Sequence, residues 1–231
     1  MLTLVPTPVG NLEDITLRAL RVLREADAIA AEDTRHAAIL LGHHGISRPL
    51  FSLHEHNEAA RAVEVADRVA AGENIALLTD AGMPGISDPG YRVIHECLER
   101  GLEFTVLPGP SAILPALVGS GLPLHEFYFG GFLPVKSGRR RAALESALGR
   151  GETSIFFESP HRIARSLAVL AELSPERPVC VARELSKKFE EYWRGTAREL
   201  SARAEQKPPR GEICLLIAGR KSHAAQCSSQ E

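Results

Sequence analysis

Twelve consecutive residues, Thr79 to Gly90 (TDAGMPGISDPG), combine two carboxylates, three glycines and two prolines with no lysine or arginine. Gly82, Gly85 and Gly90 permit positive φ and close backbone approach, while Pro84 and Pro89 stiffen the path. Neither the GK[ST] ending of a Walker loop nor a GxGxxG dinucleotide fingerprint is present. Exposed carbonyls together with Asp80 and Asp88 suit a ligand that carries positive charge or hydroxyls better than a bare triphosphate. S-adenosylmethionine, with its sulfonium, ammonium and ribose, meets that description. A long, rigid surface turn meets it equally well, although structured loops of this length in compact domains are usually functional.

The elements on either side say where such a loop would lie. Ile75–Leu78 is a short apolar run that reads as a buried strand. Val93, Ile94, Cys97 and Leu98 mark one face of a helix over Tyr91–Arg100, with Asp88 and Pro89 as expected N-cap and first helical residue and Gly101 as its stop. The loop is thus a strand-to-helix crossing at the carboxyl end of a strand, where open α/β sheets bind ligands.

The same alternation runs through the first half of the chain. Strands are expected at Leu2–Val5, Ala28–Ala31, Leu50–Leu53, Ile75–Leu78 and Glu103–Leu107, each followed by a helix. Asp14 and Thr34 are the expected caps of the first two helices. Five such rounds predict a mostly parallel sheet with helical crossovers. The punctuation Gly119-Ser120-Gly121-Leu122-Pro123 sets an expected boundary between a domain over 1–119 and a second α/β domain, with a mixed sheet, over 124–219. In that second part, strands are read at Glu126–Phe132, Thr153–Phe157, Val179–Ala182 and Ile213–Ala218, with Phe189–Arg194 as a further candidate. Helices are expected over Arg139–Leu148, after His161-Arg162, and after a Thr196 cap. Residues 220–231 are polar and expected to be disordered.

Composition bounds the function. The 231 residues are 44% hydrophobic and 24% charged, an ordinary globular balance. The four cysteines, Cys97, Cys180, Cys214 and Cys227, show no CxxC spacing, which suggests a reducing compartment and no zinc site. No apolar run approaches a membrane span and the amino terminus lacks a signal-peptide pattern, so a cytoplasmic protein without membrane contact is expected. Charge is uneven: residues 1–131 carry 9 Arg, no Lys and 17 acids, whereas the remainder carries 18 basic residues and 12 Glu. The basic second half is a candidate for contact with a polyanion, against the plainer alternative that charge merely fluctuates along the chain.

Taken in order, VPTPVGNLEDIT, AEDTRH, HEHNE, TDAGMPGISDPG, LPGPSA, GFLPVKSGRRR, FFESPHR and ARELSKKFEE resemble the small-subunit ribosomal RNA 2′-O-methyltransferase I family of the tetrapyrrole-methylase superfamily. The likeness covers roughly residues 1–218. It implies two α/β domains with the S-adenosylmethionine cleft between them, a homodimer, and methylation of a cytidine ribose in the decoding region of 16S RNA. Met83 stands where the family usually has Thr, and members often carry a further small helical segment beyond the last strand, which this sequence stops short of.

The likeness also implies cofactor contacts at Pro8, Asp80, Gly82, Met83, Ile86, Ser111, Ala112, Phe157, Ala182 and Gly211. Methylating a ribose hydroxyl asks for placement on the S–CH₃ axis and for a base, since the neutral hydroxyl is a poor nucleophile. Asp33 and His36 beside one strand end, and Glu158 and His161 beside another, are the candidates. As alternatives, Asp33 is a helix N-terminal acid and His161 a solvated surface side chain. His54 and His56 share a strand face, but no third ligand suggests a metal there. Lys136, Arg139, Arg140 and Arg141, with Arg183, Lys187 and Lys188, are the basic clusters for RNA phosphates, joined by Arg35 and Arg162; a solvated helix face is the alternative for Arg139–Arg141. Two rival functions stand beside this one: a tetrapyrrole methyltransferase of the same fold, and a non-catalytic S-adenosylmethionine-binding module.

Overall fold

A computed structural model describes residues 1–220; residues 221–231, and with them Cys227 and nearly all of the expected polar tail, lie outside the described residues. Two compact units follow one another, Met1–Ser111 and the chain from Ala112 on.

The first unit alternates strictly. Strands β1 (Leu2–Leu4), β2 (Ala28–Ala31), β3 (Leu50–Ser52), β4 (Ile75–Leu78) and β5 (Phe104–Val106) are linked by helices α1 (Leu17–Glu25), α2 (Thr34–His43), α3 (Glu58–Ala70) and α4 (Tyr91–Glu99). The sheet has the order β3-β2-β4-β1-β5 and every pairing is parallel. Residues of alternate parity along the strands feed two cores. Val5, Ile29, Ala31, Ala76 and Leu78 pack with Ala19, Leu23, Ala37 and Leu41 of α1 and α2. Leu2, Leu4, Ala28, Ala30, Ile75 and Leu77 pack with Ala62, Val65, Val69, Val93 and Cys97 of α3 and α4. The sheet is therefore covered on both sides, which is why its strands read as continuous apolar runs.

Three helix starts differ from expectation, each for a local reason. Asp14 ends a short turn capped by Asn11; Ile15 is extended, and Thr16 caps α1 by accepting the Ala19 amide at 3.0 Å. Asp33, not Thr34, caps α2, accepting from the Arg35 amide at 2.8 Å. Helix α4 has Gly90 as its N-cap, at φ 138°, with no cap from a neighbouring side chain. Asp88 and Pro89 stay in the loop, and the cap comes from the Glu58 carboxylate on α3, which accepts from the Gly90 and Arg92 amides at 2.8 and 3.1 Å.

The second unit opens with α5 (Ile113–Ser120) and continues through β6 (Phe127–Phe132), α6 (Ser137–Gly149), β7 (Thr153–Glu158), α7 (Ile163–Leu173), β8 (Pro178–Arg183), β9 (Glu191–Thr196), α8 (Ala197–Gln206) and β10 (Ile213–Ile217). Its sheet is mixed, in the order β6-β7-β10-β8-β9, with only β6 and β7 parallel. Ala116 and Leu117 of α5 pack with Ile155, Cys180 and Leu216 of this sheet, and the Pro115 carbonyl accepts from Tyr192 at 3.0 Å. Helix α5 thus belongs to the second unit, so the division falls before it and not after residue 119. The Gly-Ser-Gly-Leu-Pro punctuation is a helix stop, with Gly121 left-handed at φ 74°. Opposite α5, the core gathers Leu144, Leu167, Leu170, Trp193 and Leu200. Thr196 caps α8 in a reciprocal box with Glu199. Among the described residues, no helix is long and apolar enough to cross a membrane.

Candidate active site

Helices α1 and α4 leave the adjacent strands β1 and β4 on opposite sides of the sheet. The carboxyl ends of such strands are where open α/β sheets bind ligands. The two loops are tied at their roots. Thr7 and Gly82 exchange backbone hydrogen bonds, both at 2.9 Å, and the buried Thr7 hydroxyl donates to the Thr79 carbonyl at 3.0 Å. Gly109, after β5, presses on the loop after β1: a Cβ there would lie 2.8 Å from Pro6 Cβ. Pro8, Asp80, Gly82, Met83, Ile86 and Ser111 all lie in these three loops, and Asp33, Arg35 and His36 in the neighbouring loop and helix start after β2.

Carboxylates outnumber cations along this edge, where Arg35 pairs with Asp33. The Asp80 carboxylate accepts from the Asp33 amide at 3.2 Å and sits 3.0 Å from His36 Nδ1, while the Asp80 amide points at Glu32 Oε2 at 3.5 Å. Burial pushes the Asp88 carboxyl up to about 7, with the charges of Glu32 and Asp80 adding to it. Burial also raises Glu32, against the backbone hydrogen bond from Asp80 that lowers it. Asp33 goes the other way. Side-chain and then backbone hydrogen bonds from Arg35 hold it well below the usual carboxylate range. The Thr79 hydroxyl, at the loop's first residue, is buried with no hydrogen-bond partner among the described residues. Glu32 and Glu58, neither of them a candidate on sequence grounds, lie within the motifs AEDTRH and HEHNE.

In the second unit, β6, β7 and β8 end on the same edge, where β10 begins. Phe157 and Ala182 flank Cys214 in register. Phe157 also packs against Phe129 and Phe132, with ring centroids 5.0 and 5.3 Å away. Gly211, at φ 85°, leaves room that a Cβ would take from the Glu184 carboxylate, 2.1 Å away. Glu158 is wholly enclosed: Oε1 accepts from the Ser159 amide and from Arg162, each at 2.8 Å, and Oε2 from the Ser166 hydroxyl at 2.6 Å. His161 lies exposed nearby.

Most of the basic candidates are already engaged. Arg140 is buried and donates to the Val135 carbonyl at 3.1 Å. Arg141 pairs with Glu145 and Glu172, both at 3.0 Å. Arg183 donates to the Arg210 and Phe189 carbonyls, and Lys187 pairs with Glu184 and Glu212. Arg35 is 87% exposed while holding Asp33. Lys136, Arg139 and Lys188 stand exposed, with no ion pair among the described residues.

The family model for tetrapyrrole (corrin/porphyrin) methylases matches residues 1–201. A protein of Thermotoga maritima named ribosomal RNA small subunit methyltransferase I is 44% identical over 220 residues, covering 95% of this chain and 99% of that one. A protein of the same name from Escherichia coli O157:H7 is 46% identical over 224 residues, covering 96% of this chain and 78% of that one. The chain belongs to the ribosomal RNA small subunit methyltransferase I family of tetrapyrrole methylases. A solved uroporphyrin-III-C-methyltransferase from Thermus thermophilus shares its fold, with a TM-score of 0.66 at 21% identity over 97% of both chains.

As a member of this family the protein is a methyltransferase that draws its methyl group from S-adenosylmethionine. Its acidic edge has a measurable pH signature. An unfolded Asp ionises near 3.9, whereas Asp88 holds its proton to about 7. Between those values the folded state carries the extra proton, so this residue's contribution to stability falls as pH rises through that window and is constant above it. Asp88→Asn mimics the protonated form. Its melting temperature relative to the parent protein is therefore expected to climb between about pH 4 and pH 7 in thermal melts and to level off above. A constant difference would place Asp88 in ordinary solvent.

Proposed function

We propose that this protein methylates the ribose 2′-oxygen of a cytidine in the decoding region of 16S ribosomal RNA. It works in the cytoplasm as a homodimer on the small ribosomal subunit. The observation that carries the substrate class is the near-full-length kinship with ribosomal RNA methyltransferases.

The acidic edge fits the cofactor. Glu32, Asp80 and Asp88 offer three carboxylates to a sulfonium and an ammonium, and the orphaned Thr79 hydroxyl offers a further polar contact. S-adenosylmethionine, when bound, supplies a methyl group on a sulfonium that is already a good leaving group. Asp80, Gly82, Met83 and Ile86, with Pro8 across the Thr7–Gly82 bridge, hold it in this reading. Ser111 and Ala112 precede α5, whose amide end suits a carboxylate.

His36 takes the proton from the ribose hydroxyl. Asp80 engages its Nδ1 at 3.0 Å, which fixes the tautomer with Nδ1–H donating and Nε2 free to accept. Asp33 is held ionised by Arg35 and is too weak a base for the task. Lys136, Arg139 and Lys188, with the outward face of Arg35, meet RNA phosphates and supply salt-dependent affinity.

The test is a map of 2′-O-methyl groups on small-subunit RNA from cells with and without the gene. One cytidine methyl is expected to vanish with the gene. Identical maps would overturn the reading. A protein that binds labelled cofactor yet transfers nothing to small-subunit particles would be a binding module instead.

A further inference from the structure

We propose that Glu58 is a positioning residue for the cofactor loop: from the first turn of α3 it clamps the far end of Thr79–Gly90 through the Gly90 and Arg92 amides. The inference rests on the reading of that loop as the cofactor site.

Glu58 is 8% exposed, and its Oε1 accepts from Gly90 and Arg92 at 2.8 and 3.1 Å. Helix α4 has no local substitute, because a glycine occupies its N-cap. The opening amides of a helix otherwise lack partners, so a carboxylate reaching across 32 residues decides where this helix and its preceding loop begin. Glu58 is itself held in place. Asn57 accepts the His54 amide at 2.8 Å and donates to the Ser52 carbonyl at 3.3 Å, and the Glu58 amide donates to the His54 carbonyl at 2.9 Å. The HEHNE segment after β3 is thus a bracket whose working end is Glu58.

From Gly90 the constraint passes back along the loop. Gly85 donates to the Pro89 carbonyl at 3.0 Å and Ile86 to the Met83 carbonyl at 3.2 Å. A Cβ on Gly90 would lie 3.0 Å from the Gly85 amide nitrogen and 3.2 Å from Leu77 Cδ2. Gly90 therefore has one place to sit, and Met83 to Pro89 hang from it. Among the described residues, the hydrogen bonds and ion pair of the Glu58 carboxylate go to Gly90 and Arg92, so its effect on binding runs through loop geometry.

The test compares Glu58→Ala, Glu58→Gln and Asp80→Ala with the parent protein, by calorimetric titration with S-adenosylmethionine, amide hydrogen exchange, and the KM for small-subunit particles. In Glu58→Ala the Gly90 and Arg92 amides are expected to exchange faster. Its cofactor Kd is expected to rise about tenfold, as the binding-competent loop becomes a minority state. The KM for particles stays unchanged. Glu58→Gln keeps an oxygen acceptor and is expected to remain within about threefold of the parent. An unaltered Kd in Glu58→Ala, while Asp80→Ala binds weakly, would overturn this proposal and leave the cofactor site intact. Unaltered binding in both variants would instead remove the cofactor site from this loop. Equal impairment of the Gln and Ala variants, in step with lost thermal stability, would reduce Glu58 to a scaffold role. Should Glu58→Ala fail to fold, Glu58→Asp, which retracts the carboxylate by one methylene, is expected to shift Kd and exchange the same way, and no shift there counts against the proposal.

Discussion

Replacing His36 with alanine is expected to lower turnover by about 10²-fold or more while leaving the Kd for S-adenosylmethionine nearly unchanged. Of the four candidate bases, we propose His36. Its Nδ1 is fixed by Asp80, and its ring is 62% exposed and so reachable by a large substrate. Asp33 is committed to Arg35 and the start of α2. Both oxygens of Glu158 are taken. Placement on the methyl axis accounts for the activity that remains, so the variant is slow but not dead. His36→Gln tests the same point with a side chain that donates but is no base. Single-turnover methyl transfer to small-subunit particles, with cofactor binding measured in parallel, is the check. Full turnover in both variants would return the proton to solvent.

Glu158→Ala is expected to act on stability instead, lowering it by about 3–5 kcal/mol. The side chain is 0% exposed and its Arg162 partner 19% exposed. Truncation would leave a half-buried guanidinium without its counter-charge, orphan the Ser159 amide, and leave the Ser166 hydroxyl only its longer bond to the Arg162 carbonyl, at 3.4 Å. Set against a typical total of about 5–15 kcal/mol, that loss is a large share of what keeps a domain folded. Glu158→Gln retains an acceptor for serine and is expected to lose less. Urea melts separate the outcomes. A variant of parental stability that has lost only turnover would make Glu158 a member of the reacting constellation.

The parallel sheet was legible because its strands are buried on both sides and read as unbroken apolar runs between helical periods. Ala28–Ala31 and Ile75–Leu78 were delimited to the residue. Local caps were nearly legible, and were misplaced by one or two residues where an extended Ile15 or the preceding Asp33 took over. The cap of α4 was not legible at all, since its donor groups and acceptor are 32 residues apart. Gly119–Pro123 looked like a boundary because a helix stop and a domain border use the same residues. Charge clusters misled for a related reason. Arg140 shares the inward face of α6 with Leu144 and Ala147, and Arg141, Arg183 and Lys187 each have a partner distant in sequence: Glu172, the Arg210 carbonyl and Glu212. A count of basic residues sees neither. The acidic edge, in contrast, was foreshadowed by the absence of any cation between Thr79 and Gly90.

The most direct measurement is a crystal structure of the protein with S-adenosylmethionine bound. The account predicts density along the carboxyl edge of the first sheet, with the sulfonium and ammonium facing Glu32, Asp80 and Asp88 and the backbone of Gly82 and Met83 against the ligand. Density held by other elements, with Thr79–Gly90 left in solvent, would contradict it.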